Sequence, residues 1–285
     1  MDSKAQLQDC QSIQEVLDRA SSFLEQNRQE TYIARWLLRE RFDISQMDII
    51  LNKKRLTPEN LSQLEEDLEQ AAEDYPVQYI VGHSWFYGRS FKVDERVLIP
   101  RPETEEMVDL ILKNHDSSNQ DVLDIGTGSG VIAVSLMAER PCWNVTASDI
   151  SQGALDLAAK NARNLDTHLN FVKSDLFNNL KDQKYDLIVS NPPYISPEEW
   201  DIMGHSVRKY EPKLALFAES NGLAVYEKLA RELPFHLNKK GQVYLEIGYT
   251  QGSSVRRVMQ EAFPGARVEI IQDLAAKDRI IHVEL

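Results

Sequence analysis

The chain has 285 residues, 42% of them hydrophobic and 27% charged, a composition that suggests about two ordinary globular domains. Its two cysteines, Cys10 and Cys142, exclude a disulfide framework and form no CxxC metal site, and no run approaches the roughly 18 apolar residues of a membrane span. The net charge of −13, with 9 basic and 16 acidic residues in 1–75 and 23 and 29 in the rest, lacks the basic footprint of a protein that grips long nucleic acid through its phosphates.

The opening MDSKAQLQDC has no basic segment followed by an apolar core, so the cytoplasm is the expected compartment. Residues 1–75 carry helical periodicity throughout. Ser12 and Glu15 have the spacing of a capping box, and Ile13, Val16, Leu17, Ala20, Phe23 and Leu24 then share one face. A second helix is expected from Thr31, with Ile33, Trp36 and Leu37 inward, and a third from Ser45 to Leu51. Thr57-Pro58 starts a fourth, because proline at the first turn gives up an N–H that has no partner there. These helices predict a small bundle without a catalytic signature. Lys53, Lys54 and Arg55 form a basic run within it, read as a solvated helix-end cluster or a partner contact.

Residues 76–105 change character. PVQYIVG and FYGRSFKV are rich in β-branched and aromatic residues around glycine and predict a hairpin-like connector. VLIPRPETEE follows, where Pro100 and Pro102 should hold an extended loop before a helix begins near Thr104. In 106–285 strands and helices alternate. Strands are expected at 121–124, 143–149, 169–173, 185–190, 242–247, 266–271 and 280–285, with helices such as 131–138 and 154–162 between them. That alternation predicts an α/β fold with a Rossmann-like, seven-stranded, mostly parallel sheet. The last connection is too short for a crossover helix, so the last strand should run antiparallel.

Two loops at strand ends carry the chemistry. The first is Asp124-Ile125-Gly126-Thr127-Gly128-Ser129-Gly130, where glycines let a ligand approach the backbone closely. A dinucleotide fingerprint starting at Gly126 needs glycine at position 131, which is Val131, so the order is DxGxGxG. That order resembles the first motif of S-adenosylmethionine-dependent methyltransferases, which implies cofactor contacts at Gly126, Thr127, Gly128, Ser129 and Gly130. Asp149, 19 residues beyond Gly130 at the end of the next strand, can accept from both ribose hydroxyls. Asp175, after the third strand, reads first as a helix cap and second as an adenine neighbour.

The second loop is Asn191-Pro192-Pro193-Tyr194, directly after the apolar strand LIVS. Its prolines stiffen the backbone. Asn191 offers a side-chain oxygen beside the carbonyl of Pro192, and two close acceptors suit one NH2 group. Tyr194 supplies a flat ring for a planar group.

Together the two motifs resemble the amino methyltransferases that modify planar NH2 nitrogens: DNA adenine N6, RNA guanine N2 and protein glutamine N5 enzymes. PVQYIVGHSWFYG, VLIPRPETE, DIGTGSG, SNPPYI and YEPKLALF, in this order over residues 76–285, resemble the release-factor glutamine N5-methyltransferase family of the HemK/PrmC type. The resemblance implies S-adenosylmethionine as cofactor. It implies as protein substrate the glutamine of the Gly-Gly-Gln loop in class I peptide-chain release factors, with no direct nucleic-acid partner and no membrane. A DNA or RNA amino methyltransferase is the alternative that shares both motifs. Asn191, Pro192, Pro193 and Tyr194 would hold the substrate, with Asn191 also beside the cofactor. Arg101 and Glu103 match family residues near the cofactor pocket, or else belong to a solvated loop and helix cap. Leu176 stands where some relatives carry an aromatic residue near the adenine. The bundle, 1–75, would dock the protein substrate.

Overall fold

The computed structural model describes residues 5–285; the first four residues, part of the opening read above for a leader, lie outside the described residues. The chain forms two compact units. One runs to His83 and takes in Gly204–Tyr210, and the other comprises Ser84–Met203 and Glu211–Leu285.

The first unit is built from helices α1 (Ile13–Gln26), α2 (Tyr32–Phe42), α3 (Gln46–Leu51), α4 (Pro58–Ala72) and α5 (Val77–Val81). The apolar face expected of α1 is buried in full, with Leu37, Leu64 and Leu68 against it in one core. Only half of the expected capping box forms at α1. The Ser12 hydroxyl accepts from Glu15 N at 3.1 Å, but the Glu15 carboxylate turns back to Gln11 N (2.8 Å) and to Arg19 (2.5 Å). The complete box sits at α3, between Ser45 and Asp48. Arg41 makes a two-pronged ion pair with the fully buried Asp67, at 2.9 and 3.0 Å, and also donates to the Ile80 carbonyl at 2.7 Å. Lys54 is tied to Asp43 and Asp48, so within the basic run Lys53 and Arg55 are the exposed members.

The segment PVQYIVG departs from expectation: it is the helical turn α5, not half of a hairpin. Gly82, at φ +77°, ends it in the left-handed conformation, and Tyr79 and Ile80 are buried at adjacent positions that a strand would send to opposite faces. The hairpin lies one step later, β1 (His83–Phe86) and β2 (Arg89–Lys92), turned by Tyr87 and Gly88 at φ +47° and +72°.

In the second unit the remaining elements are α6 (Pro102–Asn114), β3 (Asp121–Ile125), α7 (Val131–Glu139), β4 (Asn144–Asp149), α8 (Gln152–Asn164), β5 (Asn170–Lys173), β6 (Tyr185–Ser190), the short turn α10 (Glu219–Gly222), α11 (Ala224–His236), β7 (Leu237–Glu246), α12 (Gly252–Ala262), β8 (Arg267–Gln272) and β9 (Asp278–Glu284). The short helix α9 (His205–Tyr210) belongs to the first unit.

The sheet has the order β5-β4-β3-β6-β7-β9-β8. The pairs from β5 to β7 are parallel, and β9 is antiparallel to β7 and to β8, the latter as the short last connection predicts. β7 starts five residues before the expected position because the polar Asn238-Lys239-Lys240 masks a strand whose register shifts between its first pair, Tyr185–Leu237, and Leu187–Gln242. Alternate residues feed two cores. Leu123, Ile125, Ile188, Val243 and Leu245 pack with α11 and α12, while Val122, Leu187, Val189 and Tyr244 pack with α6 and α7. Strand order reverses between β3 and β6, and in open α/β sheets that switch point is where a crevice opens at the strand ends.

Candidate active site

Both motif loops open at that switch point. Ser190, the last residue of β6, donates its hydroxyl to the Ile125 carbonyl of β3 at 2.8 Å, which ties the two strand ends together. The loop after β3 turns on three glycines with positive φ: Gly126 (+73°), Gly128 (+55°) and Gly130 (+84°). A Cβ at Gly126 or Gly128 would meet nothing within 4 Å, and both line a cavity of about 420 Å³. At Gly130 a Cβ would stand 3.0 Å from Ala158 Cβ, so that glycine serves close packing of α7 on α8. The buried Asn161 of α8 clamps the loop from outside, donating to the carbonyls of Ser129 (2.8 Å) and Lys92 (3.0 Å).

Two carboxylates flank this turn. Asp149, at the end of β4, lines the cavity, and its oxygens accept from Gly128 N (2.9 Å) and Ser151 N (2.8 Å). Burial raises its pKa against those two hydrogen bonds. Asp124 lies under the loop with no exposed surface. One of its oxygens accepts from Thr127 Oγ1 (2.6 Å) and Ala133 N (3.3 Å), and the other is buried without a partner. Burial pushes the Asp124 carboxyl up to about 7, with the Asp149 charge adding to the rise. A positive charge bound beside Asp149 would favour the ionised form of that carboxyl against its burial.

Asn191, Pro192 and Pro193 line the same cavity. Asn191 Nδ2 donates to Thr104 Oγ1 at 3.2 Å. Tyr194 stands apart from these three: its ring packs on the core around β7 and does not line the cavity, and its phenol is pushed up to about 12, chiefly by burial. Its carbonyl accepts from Gln251 at 2.9 Å, and a Cβ on Gly222 would come within 2.1 Å of that oxygen, so only glycine fits beside it.

Three further segments complete the walls. Arg101 lines the cavity and pairs with the buried Glu211 at 2.6 Å, and the other Glu211 oxygen accepts from Ile99 N at 3.1 Å. The motifs VLIPRPETE and YEPKLALF are thereby fastened to each other. Phe217 and its neighbours join the chain just after the proline loop, where Ile195 N donates to the Leu216 carbonyl and Ala218 N to that of Ile195, both at 2.9 Å. Asp175 and Leu176 also line the cavity, Leu176 at φ +48°, as does the half-exposed Ile150 that follows Asp149. Glu103 lies in the first turn of α6 and does not line the cavity.

Sequence reasoning passed over Thr104, Glu211 and Glu246 as site residues. Glu246 left one local sign, a charged residue inside the apolar run QVYLEIG. Among the described residues no group of His, Cys, Asp and Glu could hold a metal ion, and no helix is long and apolar enough to cross a membrane.

The chain is similar to known proteins along nearly its whole length. Residues 15–82 match the PrmC N-terminal domain and residues 104–210 the methyltransferase small domain. A release factor glutamine methyltransferase of Enterococcus faecalis is 44% identical over 271 residues, 95% of this chain and 98% of that protein. The release factor glutamine methyltransferase of Lactococcus lactis is 49% identical over 82% of this chain and 86% of its own length. A methyltransferase structure from Pyrococcus furiosus shares the fold at 20% identity, with a TM-score of 0.51 over 70% of this chain and 90% of that one. A likeness of 44% that spans both units places the chain in the release factor glutamine methyltransferase family.

Proposed function

We propose that this protein transfers a methyl group from S-adenosylmethionine to the side-chain nitrogen N5 of the glutamine in the Gly-Gly-Gln motif of class I peptide-chain release factors. The observation that carries this reading is that Asn191 and Pro192, each with an oxygen able to accept, line one cavity with the glycine loop. S-adenosylmethionine supplies, when bound, an electrophilic methyl group on a cationic sulfur. The residues present fit it. The cavity falls within the usual range of about 300–1,000 Å³ for small-molecule sites. Gly126 and Gly128 leave open the space that side chains would fill, Asp149 has acceptor capacity for the ribose hydroxyls, and Ile150 and Leu176 offer apolar surface to the adenine. The Asp149 carboxylate, which lines the cavity, suits its positive charge.

The amide nitrogen of glutamine is a poor nucleophile, because its lone pair is delocalised into the carbonyl. Asn191 Oδ1 and the Pro192 carbonyl take one N–H each, which turns the lone pair toward the methyl and supplies the orientation part of the rate. The nitrogen then releases one of its two protons to water. The alkylated amide is acidic enough to need no strong base, and the proline loop carries no carboxylate. Tyr194, packed behind the loop, holds its shape. In the same reading the first unit docks the body of the release factor. That unit contains none of the residues assigned to the cofactor or the amide, and it includes the span that matches the PrmC N-terminal domain.

Incubating the full chain with labelled S-adenosylmethionine and, separately, a class I release factor, DNA and RNA tests the proposal. Label on the Gly-Gly-Gln glutamine alone is expected. Label on a nucleic-acid base with none on the release factor would overturn it.

A further inference from the structure

The Asn191 side chain has a polarity problem that its own loop does not solve. A side-chain amide is nearly symmetric in shape, yet only its oxygen can accept from an NH2 group. Turned over, it would set donors against donors. A hydrogen-bond chain across three elements bears on that choice. Asn191 Nδ2 donates to Thr104 Oγ1 (3.2 Å) in the first turn of α6, and Thr104 Oγ1 donates to Glu246 Oε2 (2.6 Å) at the end of β7. Thr104 is 3% exposed and Glu246 1%. The Tyr226 hydroxyl pins the Glu246 backbone carbonyl at 2.7 Å.

Resting on the function proposed above, we propose that Thr104 and Glu246 are positioning residues that keep the Asn191 amide turned with its oxygen toward the substrate. Donor counting gives the direction. An ionised carboxylate only accepts, so the Thr104 hydroxyl must donate to it. With its one proton committed, that hydroxyl only accepts from Asn191, so Nδ2 faces Thr104 and Oδ1 is left for the substrate amide. A neutral amide or a protonated carboxyl at position 246 can instead donate to Thr104, and the chain then runs equally well in reverse, with Nδ2 presented to the substrate. The groups facing Glu246 are Arg279 of β9, Glu103 of α6, Tyr194 and Tyr226. Burial pushes the Glu246 carboxyl up to about 7, while the Thr104 hydrogen bond, the Arg279 charge and, least, a direct interaction with the Asn191 amide favour its ionised form, and that last interaction also asks for Nδ2 on the Glu246 side.

The test uses the full chain with release factor and labelled S-adenosylmethionine. Thr104→Val removes the hydroxyl at constant shape and is expected to lower kcat about tenfold to a hundredfold, the scale of a misaligned reacting group, with cofactor affinity little changed. Thr104→Ser keeps the hydroxyl and should recover most of the rate. Glu246→Gln should lose a similar factor, and the double variant should be no worse than the poorer single one, since both act through one chain. If Glu246→Gln does not fold, the Thr104 pair decides alone. A wild-type kcat in Thr104→Val, or equal losses of kcat and cofactor affinity, would overturn the proposal, as would losses that multiply in the double variant. The side-chain NH2 resonances of Asn191 give a readout independent of activity. They should be protected from exchange in the wild type and in Thr104→Ser, and less protected in Thr104→Val. Failure of the wild type to methylate release factor would count against the substrate assignment only. Identical Asn191 resonances in all three proteins would count against the orienting chain.

Discussion

Asp149 does two things that substitutions can separate. It holds the amides of Gly128 and Ser151, and in the proposed function it also accepts from the ribose. Asp149→Ala removes both, and losing a charge-assisted contact costs about 1.5–3 kcal/mol, so calorimetric titration should show S-adenosylmethionine affinity lower by about tenfold to a hundredfold. Asp149→Asn keeps one acceptor and should lose less. Unchanged affinity in folded Asp149→Ala would remove the residue from the cofactor site. Asn191 gives a complementary pair. Asn191→Ala leaves a substrate N–H without its acceptor, about 1–3 kcal/mol, and should nearly abolish turnover while sparing cofactor binding. Asn191→Asp keeps acceptors and should retain part of the rate; near-wild-type turnover of both variants would leave the loop as scaffold only. The residues legible in the sequence, the glycines, Asp149 and Asn191, announce themselves by local spacing. Thr104, Glu246 and Glu211 do not, because their partners are far away along the chain: 87 residues separate Asn191 from Thr104, 142 separate Thr104 from Glu246, and 110 separate Arg101 from Glu211.

The strand-to-helix turn between β3 and α7 places two residues under opposite constraints. Gly130 needs φ +84° and has Ala158 Cβ 3.0 Å from where its own would be, so Gly130→Ala should destabilise the protein by about 1–2 kcal/mol in denaturant melts. No loss of midpoint would mean that the turn adapts. Asp124, under the same turn, is buried with a folded pKa of about 7, above its unfolded value near 4. For a carboxyl raised in this way, the stability contribution is complete below about pH 4 and is lost as pH rises through about 7. Asp124→Asn removes that titration. Between pH 5 and 8 the melting temperature of the variant should therefore fall less, or rise more, than that of the wild type; equal slopes would show that Asp124 ionises freely. Element by element, the strands of the sheet were legible because apolar runs alternate with helical periods. α5 was not, because a five-residue run with Val, Tyr and Ile at all but Gln78 looks the same in either period, and it is burial beside the bundle core that makes it a helical turn. The early start of β7 was hidden by its polar residues, which lie on the far side of the register shift.

For the whole molecule, composition and charge indicated two parts and spoke against a nucleic-acid grip, but periodicity along 1–75 could not show that Gly204–Tyr210 belongs with the first unit. That segment is held by contacts remote in sequence. The Tyr210 hydroxyl donates to the Glu73 carbonyl at 3.0 Å, and His205 pairs with Asp74 at 2.6 Å. A division of labour between the units gives a test that leaves the catalytic residues untouched. Asp67 is the buried partner of Arg41 and also accepts from Gln63 at 3.0 Å. Removing one member of such a pair leaves a charge without its counterion and costs about 3–5 kcal/mol. Asp67→Ala should therefore loosen the first unit, seen as faster amide exchange confined to α2, α4 and α5. Affinity for S-adenosylmethionine, carried in the proposed function by residues of the second unit, should stay at the wild-type value. If the first unit docks the release factor, methylation of the intact factor should drop by about tenfold or more, while that of a short Gly-Gly-Gln peptide at saturating concentration is unchanged, because the peptide has no body to dock. Equal methylation of the intact factor by the loosened variant and the wild type would show that the first unit does not dock it. An equal loss on both substrates would place the defect in the catalytic unit instead.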